Sequence, residues 1–106
     1  MNEAEFHKLA AIALGRIEQA VEDSGVDIDF ENTGEILQLE FANRSKIIIN
    51  KQGATSQLWI AAKSGGFHYN YDAGTQQWRN DQSGMELFSE LSRLASEQAG
   101  EPVMLT

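Results

Sequence analysis

The apolar pattern of this chain changes period twice. Over residues 3–23 hydrophobic side chains recur every three or four positions, over residues 26–79 they mostly alternate, and over residues 84–98 the helical spacing returns. A helix must bury its stripe, and a half-buried strand must bury every second side chain. A meander of short strands bracketed by two helices meets both needs when the helices share one face of the sheet. The expected fold is therefore α+β: a two-layer α/β sandwich, with an antiparallel sheet of five to six strands and the N- and C-terminal helices packed on one face. At 106 residues the chain is one domain, 1–106.

The first helical stripe is Phe6, Leu9, Ala10, Ala13, Ile17, Ala20 and Val21. Asn2 suits the N-cap, Glu3 and Glu5 suit the positive end of the helix dipole, and Ser24-Gly25 ends the helix. Val26, Ile28 and Phe30 then alternate with Asp27, Asp29 and Glu31, the pattern of a half-buried strand. Turn residues separate further strands over 36–41, 46–50, 57–62 and 67–71, with a last strand around 76–79. Ser83-Gly84-Met85-Glu86 matches a capping box and predicts a helix over 84–98, with Leu87, Phe88, Leu91, Leu94 and Ala95 as its stripe.

Charge divides the chain unevenly. The first 40 residues hold ten carboxylates against Lys8 and Arg16, whereas the remainder holds six acids and six bases. The net charge of −8 is thus a local feature. Nucleic acid is not an expected partner, because displacing its counterions needs a basic face. No run of apolar residues is long enough to span a membrane. With no cysteine, the chain holds no disulfide, thiolate metal site or Cys-ligated cluster of its own. The acidic opening Met1-Asn2-Glu3-Ala4-Glu5-Phe6 is unlike a secretory signal or an Arg-rich transit peptide, so a cytoplasmic location is expected.

Six acids and no base lie between Glu18 and Glu31. Glu18 and Glu22 share a helix face at i, i+4, Asp23 follows at the helix end, and Asp27, Asp29 and Glu31 are expected on one strand face. If that strand is the sheet edge beside the helix, the six form one acidic ridge. Such a ridge suits hard cations that take oxygen ligands, Ca²⁺, Mg²⁺, Mn²⁺ and Fe³⁺ among them. No EF-hand loop is present, so binding should be weak, exposed and poorly selective. The alternative is a solvated face that serves solubility. Glu3 and His7, also i, i+4, have the spacing to share a metal, although a weak surface pair is the commoner outcome.

Trp59 is expected to face outward if Leu58 and Ile60 face the helices. An exposed Trp beside Asn50, Gln52 and Gln57 suits an interface anchor. The alternative is a Trp packed under a loop. Trp78 reads as core, and His68 as structural or surface. No nucleophile–base arrangement or phosphate loop is present, so no catalytic residues are expected.

The chain resembles the bacterial frataxins. The resemblance is carried by Glu5-Phe6-His7-Lys8-Leu9-Ala10, by Ser45-Lys46-Ile47-Ile48-Ile49-Asn50-Lys51-Gln52, and by Gln57-Leu58-Trp59-Ile60-Ala61-Ala62-Lys63-Ser64-Gly65-Gly66-Phe67-His68-Tyr69. It implies iron binding, Fe²⁺ and Fe³⁺, at Glu18, Glu22, Asp23, Asp27, Asp29 and Glu31, with other divalent or trivalent cations substituting. It implies a part in iron–sulfur cluster assembly, in contact with a cysteine desulfurase and its scaffold protein through Asn50, Gln52, Gln57 and Trp59. The expected role is non-enzymatic, as a regulator of cluster formation, an iron donor, or both, in a chain monomeric without iron and a candidate for iron-driven oligomers. The runner-up is a ferroxidase or iron-storage protein. Two departures stand out. Gly53-Ala54-Thr55 lacks the proline usual after Gln52, which should loosen the loop. The short, uncharged Ser24-Gly25 connection should leave fewer metal ligands.

Overall fold

A computed structural model describes all residues, Met1–Thr106. Helix α1 spans Glu3–Asp23, started by the Asn2 side chain, which accepts from the Glu5 amide at 2.8 Å. Ser24 closes the helix and Gly25, at φ +72°, turns the chain away. Six strands follow: β1 (Ile28–Asn32), β2 (Ile36–Phe41), β3 (Lys46–Gln52), β4 (Gln57–Ala62), β5 (Gly65–Asp72) and β6 (Gln77–Asn80). They pair in sequence order, every pair antiparallel, so β1 and β6 are the edges. Helix α2 (Leu87–Ala99) completes the chain of elements.

The alternation holds across the whole sheet. Leu37, Leu39, Ile47, Ile49, Leu58, Ile60, Tyr69 and Trp78 are buried, and the strand register places them on one face. The α1 stripe (with Leu14 buried and Leu9 only half-buried, a difference from the expected set) and Leu87, Leu91, Leu94 and Ala95 of α2 join them in one core. Both helices lie on that face, as the change of period requires, and the opposite face is left open.

Strands β3, β5 and β6 differ from the expected ranges by one or two residues at their ends, and two starts differ with a physical cause. The first strand starts at Ile28, because the Ile28 amide turns back to the Val26 carbonyl at 2.9 Å. That three-residue turn takes Asp27 out of the strand. The second helix starts at Leu87, and Ser83 is not its cap. Glu86 is the N-cap itself: its carboxylate accepts from the amides of Phe88 at 2.7 Å and Ser89 at 3.1 Å. Residues before it still follow the sheet, since Arg79 and Glu86 form a β-bridge and the Asn80 amide bonds the Met85 carbonyl at 2.8 Å. A carboxylate directly on the first amides caps a helix as well as a hydroxyl does, with the dipole in its favour.

Three polar clamps tie the layers. Buried Glu90 on α2 accepts from the Tyr69 hydroxyl at 2.5 Å, from Asn80 at 2.8 Å and from Arg93 at 3.3 Å. Burial alone would raise its carboxyl, but these hydrogen bonds outweigh it and hold Glu90 below the usual carboxylate range. Burial and the adjacent carboxylate push the Tyr69 phenol far upward. Buried Gln98 bonds the Ser45 hydroxyl, the Lys46 carbonyl and the Lys63 amide at 3.0, 3.1 and 2.9 Å, joining the end of α2 to two hairpin turns. The tail after Gly100 packs against α2. The Ser96 and Ser92 hydroxyls accept from the amides of Val103 at 2.8 Å and Leu105 at 2.9 Å, and both tail side chains are buried.

Candidate functional site

The open face of the sheet carries the side chains that the core parity leaves over. From the β1 edge inward these are Asp29 and Glu31, then Ile36, Gln38 and Glu40, then Lys46, Ile48, Asn50 and Gln52. Gln57, Trp59 and Ala61 follow on β4, and His68 and Asn70 on β5. The face is therefore acidic at one edge and, apart from Lys46 opposite Glu40, uncharged through its middle.

β1 is the edge strand, as the ridge requires, but its carboxylates divide around that edge. Phe30 and Asn32 point to the helix side, and Asn32 donates to Glu18, which fastens α1 to the end of β1. Asp29 and Glu31 point the other way, onto the open face. There the register sets Asp29 directly opposite Glu40, and Asp29, Glu31, Gln38 and Glu40 line a shallow hollow of about 110 Å³. Glu40 thus belongs with the strand acids, which sequence alone did not reveal. Glu22 and Asp23 are exposed at the end of α1, and Asp23 accepts from Gln19 at 3.0 Å. Asp27 lies apart from Asp29 and Glu31, in a hollow with Asn43, Gln98 and Glu101, so the expected single strand face of three acids does not form.

None of these carboxylates makes an ion pair; the ion pairs of the chain are His7–Glu3, His68–Asp81, Arg79–Asp72, Arg93–Glu90 and Arg93–Glu97. Nor does any group of three or more His, Asp or Glu side chains converge closely enough to enclose a cation. The donor chemistry is that of hard cations, yet the spacing gives any one ion only one or two protein ligands, with water completing its shell. Glu3 and His7 pair at 3.6 Å, at the far end of α1 from the ridge, where His7 lies beside the 3₁₀ turn Gly53–Thr55.

The middle of the face is built differently. Trp59 is half-buried and opens outward between Asn50 on β3 and His68 on β5, its register partners. Its ring stacks on the His68 imidazole, centroids 4.1 Å apart and planes within 11°. Its indole N–H donates to Gln57 Oε1 at 2.8 Å. With β5 covering one ring face, the other looks toward β3, over a groove of about 250 Å³ lined chiefly by Ile36, Ile48, Asn50 and Ala61. Gln52 sits opposite Gln57 at the end of the same row. The four residues expected as a partner site therefore do come together. Ile36, 39% exposed, and Ile48 supply the apolar lining that the sequence reading missed. Their signal was present: Ile36 and Ile48 are apolar residues on the parity that alternation assigns to the open face.

The chemistry of the edge suits weak oxygen ligation of a cation, and that of the middle suits docking on an aromatic anchor. No helix is long and apolar enough to cross a membrane. The family model of the frataxin-like domain matches residues 1–101. An iron-sulfur cluster assembly protein CyaY from Paraburkholderia xenovorans is 50% identical over 103 residues, covering 97% of this chain and 96% of the relative. A protein of the same description from Pseudomonas aeruginosa is 46% identical over 103 residues, covering 97% and 95%. Among solved structures, a frataxin from Psychromonas ingrahamii superposes with a TM-score of 0.91 at 40% identity, covering 100% of this chain and 99% of that one.

Proposed function

The chain belongs to the frataxin-like family, and from that premise we propose that it serves iron–sulfur cluster assembly as a non-enzymatic, iron-binding regulator. The relatives that carry the assembly description match nearly end to end, which supports a shared role for the whole domain. The observation that carries the finer reading is the division of the open face: unpaired carboxylates at the β1 edge, and a prearranged Trp59 surface beside them. In this reading iron is cargo. Glu18, Glu22, Asp29, Glu31 and Glu40 hold Fe²⁺ or Fe³⁺ loosely enough to release it. The partners are a cysteine desulfurase, whose basic surface meets the edge, and its scaffold protein, which meets Trp59, Asn50, Gln52 and Gln57. Loose oxygen ligation by exposed groups costs little to reverse, which suits a donor or a sensor better than a store.

The edge cannot serve a cation and a basic surface at once, so the two uses compete. Anaerobic amide NMR titration with Fe²⁺, repeated with Mg²⁺, locates the cargo. Broadening confined to residues 18–40 with a weaker Mg²⁺ response supports iron binding at the edge, and broadening spread over the chain removes that part of the reading. Fe²⁺ should also weaken desulfurase binding, and unchanged or tighter binding would defeat the competition. A ferroxidase centre needs buried, convergent Glu and His. Oxygen uptake on Fe²⁺ addition, above a buffer control, would bring that role back.

A further inference from the structure

The anchor of the docking face does not hold itself. Trp59 has an indole that only donates, and its acceptor is an amide that could present either end. Gln57 gives its oxygen to the indole because its NH₂ group is committed elsewhere, to Asn70 Oδ1 at 3.1 Å and Asp81 Oδ2 at 3.3 Å. Asn70 is another amide and fits a flipped Gln57 equally well by turning over. Asp81 is different, because a carboxylate only accepts. It alone on that side dictates which end of Gln57 faces the indole. The same oxygen, Oδ2, lies 4.0 Å from Nδ1 of His68, the ring on which Trp59 stacks. Of the two residues that touch the indole, Asp81 thus bonds Gln57 and lies near His68.

That carboxylate is itself well placed. Asp81 follows β6, and its backbone amide donates to the His68 carbonyl at 2.9 Å. The preceding residue, Asn80, donates to buried Glu90 at 2.8 Å and accepts from the amides of Gln82 and Ser83 at 2.9 and 3.2 Å. The turn that presents Asp81 is therefore anchored from the core, and its backbone bonds survive a change of side chain.

We propose that Asp81 is the positioning residue of the docking face, holding Trp59 in one orientation through Gln57 before any partner arrives. The partner's contribution rests on the docking reading given above; the positioning itself does not. Holding one large side chain in its bound orientation spares the ordering cost of docking, about threefold to tenfold in affinity.

The test uses the full chain without partner and follows the indole N–H resonances of Trp59 and Trp78. Trp78, buried in the core, is the internal reference. Asp81→Leu should displace the Trp59 resonance and speed its exchange with solvent by about threefold or more, the low end of one hydrogen bond's net worth. Asp81→Asn, an amide that can turn over as Asn70 does, should displace it too, whereas Asp81→Glu, which only accepts, should restore it, and Trp78 should stay in place throughout. An unmoved Trp59 in Asp81→Leu overturns the proposal. If Asp81→Leu shifts Trp78 as well, the near-isosteric Asp81→Asn decides: a displaced Trp59 with Trp78 in place supports the proposal, and an unmoved Trp59 overturns it. The docking reading fails separately, if Trp59→Ala binds the desulfurase–scaffold complex as tightly as the unaltered chain.

Discussion

The two halves of the open sheet face are made on opposite principles. On β1 and β2, Asp29, Glu31 and Glu40 gather like charge with no ion pair to relieve it. On β4 and β5, the groups that hold Trp59 have partners within the chain: Gln57 with Asn70 and Asp81, and the indole with Gln57. The first half stores repulsion that a cation or a basic surface would relieve. The second spends its hydrogen bonds on holding one aromatic ring still. A charged edge steers an encounter from a distance, whereas a held ring decides how long the encounter lasts.

The contrast continues beneath the sheet, and the largest expected effect tests it there. The held half stands on Tyr69, Asn80 and Glu90, whereas the acidic edge has no buried polar support of this kind. Glu90→Leu leaves the Tyr69 hydroxyl and the Asn80 amide without their acceptor in the core and should cost about 3 kcal/mol in denaturant unfolding. The same residue sets a pH limb. Its folded carboxyl lies below its unfolded value, so its contribution is complete above the usual carboxylate range and is lost as pH falls through the lower folded value. Glu90→Gln should flatten that acid limb of stability; an acid limb left intact would mean that other groups set it.

The next effect separates affinity from stability. Trp59→Ala should weaken binding of the desulfurase–scaffold complex by about 2 kcal/mol, roughly thirtyfold, chiefly through faster dissociation. Its cost to folding should stay near 1 kcal/mol, because the ring is only half-buried. A larger loss of stability than of affinity would make Trp59 a structural residue and erase the distinction between the halves.

The smallest effect falls on the charged edge. Neutralising Asp29→Asn with Glu31→Gln should slow association by about tenfold at low salt and flatten its salt dependence. Stability should rise slightly, by no more than about 0.5 kcal/mol, as self-repulsion is relieved. A changed dissociation rate with an unchanged association rate would show that the edge is a contact surface rather than a steering field.

Much of this was legible from periodicity. Alternation in residues 36–41 and 57–62 put Leu37 and Leu39 on one face, Leu58 inward and Trp59 outward, and the register bears that out. Asn2 capped the helix that it was expected to cap. The failures share a cause. Asp27 left the strand because of a backbone hydrogen bond between Val26 and Ile28, and Glu86 replaced Ser83 as cap because the chain had not yet left the sheet. Composition at those positions fits either outcome; the pairing of neighbouring strands decides between them.

Periods and charge alone thus settled the elements, the shared helix face, the open face opposite and the acidic first 40 residues, because each follows from local spacing along one chain. Which open-face residues are neighbours was decided only by the tertiary structure. Glu40 meets Asp29 because β2 returns in that register, Asp81 reaches Gln57 across 24 positions, and Glu90 reaches Tyr69 across 21. Alternation tells a side chain which face it occupies, but strand register and turn geometry choose its neighbours across that face, and those neighbours give Trp59 its orientation.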